Sequence, residues 1–486
     1  MAWVQIGCLL LVMFGSFGTD GLRRKSKLGL LRFPPLYSDV SNPSDEWFTQ
    51  LLDHFDPTNN QTWQQRYQVE TEYFTEGGPV FIMLGGEGPV YSSDLINSNM
   101  VNYAKQYGAL MFQIEHRYYG KSHPTSDAST ENLIYLTSEQ ALADIAYFVE
   151  GMNVQYNLTS DTKWIVFGGS YAGNLAAWVR LKYPHLIHGA MSASGPVLAK
   201  VDFFEYMDVV RNSLGTCGQS CVKAVEMANR RVNQLLKKKS GQKTIEHLFK
   251  LCDPIDTTDQ NDVWNLLESL ADNFAVIVQY NNEGLPYSIN TLCDIMTNKT
   301  IGSPLMRYAF VNKILLNLFG ETCVDYKYNK MIEQLKETNW TSQSVSSGDR
   351  TWVYQTCTEF GYYQTSESKK EFFSNDFPIP FFLQQCSEIF GDKFTDKEIY
   401  DGAYRTNAIY GGLDLQATKV VYVHGTIDPW HALGITSTAV SGATAILING
   451  TAHCANMNPP LPTDPPALKA ARKKVGKLIG HWLHES

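Results

Sequence analysis

Clustered positive charge is the first thing this chain lacks. Its 40 Lys and Arg against 49 Asp and Glu give a formal net charge of -9. Phosphate-backbone binding needs grouped cations, so nucleic acid is excluded as a partner. Long apolar runs are also missing. Ile6 to Phe17 is the only marked one, and it is shorter than the roughly 20 residues that cross a bilayer. No C-x-x-C pair appears, which removes the usual zinc framework, and nothing else implies a metal or a cofactor. The glycine-rich stretch from Gly85 fails as a dinucleotide fingerprint because Tyr91 stands where its last Gly belongs. Gly120-Lys121-Ser122 fails as a P-loop because Glu115 stands where its first Gly belongs. No internal repeat is apparent.

What is present points to export. The short apolar run at 6–17, followed by small and polar residues, predicts a signal peptide over 1–19. Residues 20–45, with Arg23-Arg24-Lys25 and several prolines, read as a leader or propeptide. Seven cysteines lie between Cys217 and Cys386, which predicts a segment stapled by disulfides of undetermined pairing. An odd number leaves at least one without a local partner, and Cys454 is a candidate free thiol. Sequons at Asn60, Asn157, Asn298, Asn339 and Asn449 predict N-glycans. The mature chain is expected to be soluble, in the secretory pathway, and either lysosomal, endosomal or secreted.

A length of 486 residues exceeds one ordinary core, which saturates near 250–300 residues. Short apolar runs at Pro79–Leu84, Ala109–Glu115, Lys163–Phe167 and Ile187–Ala193 read as strands. Between them, Thr137 with Gln140 reads as a capping box opening a helix, and Asn174–Leu181 as a second helix. Such alternation predicts a mostly parallel sheet. From about Val201 to Tyr400 the periodicity turns helical, and strand signals resume at Lys419–Val423 and Ala445–Ile448. A last amphipathic helix, 467–483, places Leu468, Ala471, Val475, Ile479 and Leu483 on one face. The predicted class is α/β: an α/β-hydrolase domain in two parts, 46–200 and 405–486, interrupted by a disulfide-bearing helical insertion at 201–404.

Gly168-Gly169-Ser170-Tyr171-Ala172-Gly173 sits between a strand and a helix, as a nucleophile elbow must. The turn demands small residues two before and two after the Ser, and Gly168 and Ala172 meet that need. Acid and base should follow on loops after later strands, in that order. Asp428 and His453 occupy those places, whereas His431 is too close to Asp428 along the chain to serve. Oxyanion donors are expected from the amide of Tyr171 and from the Gly85–Gly88 loop, at Gly86 or Glu87. Fixed charges for holding a peptide end are sought in Glu87 or Glu115, with Trp430 as a further substrate contact.

Gln50–Phe55, the Gly85–Pro89 loop, Glu115–Gly120, the elbow, Gly425–Trp430 and Ala452-His453-Cys454 together resemble the S28 serine peptidases. That family includes prolyl carboxypeptidase, dipeptidyl peptidase II and thymus-specific serine protease. The resemblance implies peptide substrates, a helical insertion beside the active site, an endosomal or lysosomal home and a Ser170–Asp428–His453 triad. It further implies cleavage near a chain end, after proline in the better-known members, which lack a Cys at the position of Cys454. An esterase on the same scaffold, or a non-catalytic binding protein, is the alternative. A homodimer is compatible with all of these readings.

Overall fold

The computed structural model describes residues 43–370, 372–437 and 440–485. The signal peptide expected at 1–19 and all but the last three residues of the leader lie outside these.

Apolar runs buried on both faces make the centre of the sheet. β1 (Glu46–Leu51) and β2 (Thr62–Glu70) form one end, followed in the chain by β3 (Val80–Leu84), β4 (Leu110–Ile114), β5 (Trp164–Gly169) and β6 (Ile187–Ala193). A separate two-stranded ribbon pairs β7 (Lys200–Asp202) with β8 (Gly361–Tyr363). β9 (Val420–Gly425) and β10 (Thr444–Ile448) complete the main sheet, whose order is β1-β2-β4-β3-β5-β6-β9-β10. Only the β1–β2 and β2–β4 pairs are antiparallel. Every residue of β3 and β4 is buried, as expected of parallel strands covered by helices on both sides.

β1 extends the sheet beyond the strands legible in the sequence. The helix at Ser138–Gln155 opens as expected, with the Thr137 side chain accepting from the Gln140 amide. Only half of the capping box forms, however. The Gln140 side chain turns away to bond Asp53 and the His54 amide, which ties the helix to the loop after β1. The C-terminal helix, Pro466–His484, buries Leu468, Ala471, Val475 and Ile479 as predicted. Leu483 is only half-buried, and Trp482 fills the space against Gly189 instead.

Between β6 and β9 the chain is mostly helical, from Glu205–Gly215 to Asp396–Tyr410. Three disulfides staple this region: Cys221–Cys293, Cys252–Cys323 and Cys357–Cys386. Cys217 and Cys454 are free. All five sequon asparagines are exposed. No described helix is long and apolar enough to cross a membrane.

Candidate active site

Because β3, β5, β6, β9 and β10 run parallel, the loops that follow them gather at one edge of the sheet. Strand order reverses beside β3 and β5, the kind of switch point where α/β sheets open a crevice. Four of the loops carry the residues singled out above.

Ser170 follows β5 directly, at φ 59 and ψ -131, a conformation that costs a residue bearing Cβ. Its amide donates to Ala193 O of β6 at 2.9 Å, and its carbonyl accepts from the Gly173 amide at 2.8 Å. A Cβ on Gly168 would come within 2.0 Å of Ala172 O, so only Gly fits there. Ala172 is tolerated, and its backbone lies against the β3 loop: a Cβ on Gly86 would sit 3.3 Å from Ala172 N. Tyr171 is the first residue of the helix Tyr171–Lys182, so its amide has no intrahelical acceptor.

Asp428 follows β9 and is fully buried. Its Oδ1 accepts from the Trp430 amide at 3.0 Å and from His453 Nδ1 at 2.9 Å. His453, on the loop after β10, is also buried, and its Nε2 makes no hydrogen bond among the described residues. Since Nδ1 donates to a carboxylate, the neutral ring carries its lone pair on Nε2. Burial pulls the His453 pKa down, but Asp428 and, after it, Cys454 pull it up, and the net value stands well above the usual 6.5. Burial would raise the Asp428 pKa, yet attraction to His453 holds that carboxyl below its ordinary range.

Two contacts fasten this loop. The His453 amide donates to Gln279 O at 3.0 Å, at the end of the insertion helix Gln260–Gln279. The Cys454 amide donates to Ser194 Oγ at 2.9 Å, and its thiol packs 3.0 Å from where a Cβ on Gly169 would stand. The His453 loop therefore rests on the ends of β5 and β6, beside the Ser170 turn. His431 bonds only the backbone oxygen of Asp428 through Nδ1, at 2.6 Å, so the carboxylate serves His453.

Trp430 walls the site, with its ring 6.3 Å from that of His453 and its Nε1 donating to Gln279 Oε1. Glu87 is buried in the β3 loop; burial raises the pKa of Tyr119 and Tyr362, and the Glu87 charge adds a smaller push in the same direction. Glu115 does not fit the role sought for it. It is wholly buried, accepting from Arg66 Nη1, the Val90 and Lys121 amides and Ser122 Oγ at 2.8–3.1 Å. Its carboxylate braces the β3 and β4 loops from behind and has no spare lone pair for a peptide terminus. Gln279 and Ser194 went unnoticed in the sequence because a distant helix-end glutamine, acting through its carbonyl and its side chain, and a loop hydroxyl leave no motif.

The sheet order and the strained turn after β5 define an α/β-hydrolase. The chain belongs to the S28 family of serine peptidases: the family model described as "Serine carboxypeptidase S28" matches residues 50–475. It is 35% identical over 455 residues to thymus-specific serine protease of Mus musculus, covering 91% of this chain and 88% of that one. It is 28% identical over 495 residues to lysosomal Pro-X carboxypeptidase of Homo sapiens, covering 98% and 97% respectively. A Caenorhabditis elegans relative that carries a serine protease name is 37% identical over 95% of this chain and 94% of its own. The protein is a hydrolase of the serine peptidase class.

Proposed function

We propose that Ser170, Asp428 and His453 are a catalytic triad that hydrolyses peptide bonds through an acyl-enzyme. The observation that carries this is the buried His453–Asp428 bond, which leaves Nε2 as an acceptor on a loop packed against the Ser170 turn. His453 Nε2 takes the Ser170 hydroxyl proton as Oγ attacks the scissile carbonyl. The tetrahedral oxyanion is held by the Tyr171 amide and by the amide of Gly86 or Glu87. When the C–N bond breaks, His453 returns the proton to the leaving amine. A water then attacks the ester, giving its proton to His453, and Ser170 is released as the hydroxyl.

The helical insertion lies against the base through Gln279, which favours short or unfolded peptides over folded ones. Cleavage near a chain end, after proline, is the specificity that the name of the Pro-X relative suggests for this chain. Three disulfides, exposed sequons and a relative named as lysosomal support passage through the secretory pathway, with an endosomal or lysosomal destination.

The test is digestion of a mixed peptide library at about pH 5 and pH 7, with products read by mass spectrometry. Ser170→Ala should lower cleavage by several powers of ten. The new peptide ends would report proline preference and exo- or endo-action. Wild-type cleavage that survives in Ser170→Ala, or no cleavage at either pH, would overturn the proposal.

A further inference from the structure

Below the elbow, a buried run of hydrogen bonds joins the α/β core to the helical insertion. His116, on the loop after β4, points Nδ1 at Arg117 O, 2.7 Å away. Its Nε2 lies 3.1 Å from the Tyr171 hydroxyl. Gln355, at the end of the insertion helix Asp349–Gln355, donates from Nε2 to the same hydroxyl at 3.0 Å. Tyr119 donates to Gln355 Oε1 at 2.7 Å. Gln355 leads into a π-helical turn, Thr356–Phe360, where Glu359 accepts from the Ser138 amide and hydroxyl. All these side chains are buried.

The chemistry of the groups gives the run one direction. A backbone carbonyl only accepts, so His116 Nδ1 carries the hydrogen and Nε2 is the acceptor. The Tyr171 O–H therefore donates to His116 and receives from the Gln355 amide. Burial agrees, lowering the His116 pKa to about 4, with Asp144 and Arg117 pulling it in opposite directions. Tyr171 is thus held at two ends: its hydroxyl by this run, and its backbone by the Ser170 turn. A side chain fixed in this way fixes the orientation of its own peptide unit.

We infer that His116, Gln355 and the Tyr171 hydroxyl are positioning residues for the Tyr171 amide, so that the insertion, through Gln355, sets the oxyanion site. This rests on the oxyanion role proposed above. No one of these groups touches substrate; each acts through the amide.

Three variants test it. Tyr171→Phe removes only the hydroxyl, and Gln355→Leu removes the insertion's donor together with the acceptor of the Tyr119 hydroxyl. Each should lower kcat about tenfold or more while KM stays within about threefold. Each should also weaken a peptide aldehyde inhibitor by the same factor as kcat, because only the tetrahedral state uses the amide. His116→Gln, which retains an acceptor oxygen for the Tyr171 hydroxyl, should keep most of the activity, whereas His116→Leu should not. Labelling by a fluorophosphonate at Ser170 in the wild type separates the two readings. If Ser170 is not labelled, the triad proposal fails and this inference with it. If Ser170 is labelled, and Tyr171→Phe keeps its kcat and inhibitor affinity while losing only thermal stability, this inference alone is overturned.

Discussion

Asp428 Oδ1 serves two donors at once, the Trp430 amide and His453 Nδ1–H, so one carboxylate both shapes its own turn and fixes the imidazole. The electrostatic consequence has a definite sign. A base must be neutral to accept a proton, and Asp428 favours the charged imidazole, raising its pKa. Activity (kcat/KM) should therefore fall as pH drops through that raised value. In Asp428→Asn the anion is gone and burial is opposed only by Cys454, so the acid limb should move to lower pH. At the same time kcat should fall by about four powers of ten, because an amide at 428 permits the wrong tautomer. Full pH–rate profiles of both proteins check the two effects together. The placement of Ser170, Asp428 and His453 just after β5, β9 and β10 was legible because strand ends leave a pattern in sequence. The Tyr171 hydroxyl was not, since its partners come from segments far apart in the chain and only the fold unites them.

Several elements are tied to one another through buried polar groups as well as through the apolar core. Arg117, after β4, bonds Asp144 of the helix Ser138–Gln155 at 2.6 and 2.7 Å, and His54 bonds the same carboxylate at 2.8 Å. Glu115 does the same for the loops after β3 and β4. Glu115→Gln leaves Arg66 and two backbone amides with a weaker partner in a buried setting, and should cost about 3 kcal/mol of stability. Urea unfolding measures that loss, and KM for peptides should be unchanged, since the carboxylate is buried and taken up by donors of the protein itself. A KM rising with peptide terminal charge would restore Glu115 as a substrate contact. The central strands announced themselves as unbroken apolar runs. β1 did not, because EWFTQL is half exposed at the end of the sheet and shows neither a run nor a clean alternation. Gln140 illustrates the same limit: its spacing from Thr137 fits a capping box, but a tertiary partner, Asp53, claims the side chain.

Across the whole molecule, the insertion carries all three disulfides, while the α/β core has none among the described residues. Cys252 and Cys323 are 71 residues apart, so their bridge restrains a long loop of the unfolded chain. Replacing both with Ser should cost about 2–5 kcal/mol, seen as a lower denaturant midpoint. If insertion and core unfold separately, two transitions should appear, and only the insertion's should shift. Sequence revealed the insertion through its change of periodicity and its cysteines. It did not reveal the pairing, which depends on how the helices pack. The position of His453 has a further consequence, for timing. The ribosome makes the Ser170 turn roughly 280 residues before His453, and at about 5–20 residues per second the interval is some 15 s to 1 min. β6 must wait through most of that interval for β9, its neighbour in the sheet. The His453 loop then needs Gln279 already in place. A half-made chain thus holds the Ser170 turn without the His453 loop, so the catalysis proposed above would have to await the end of synthesis.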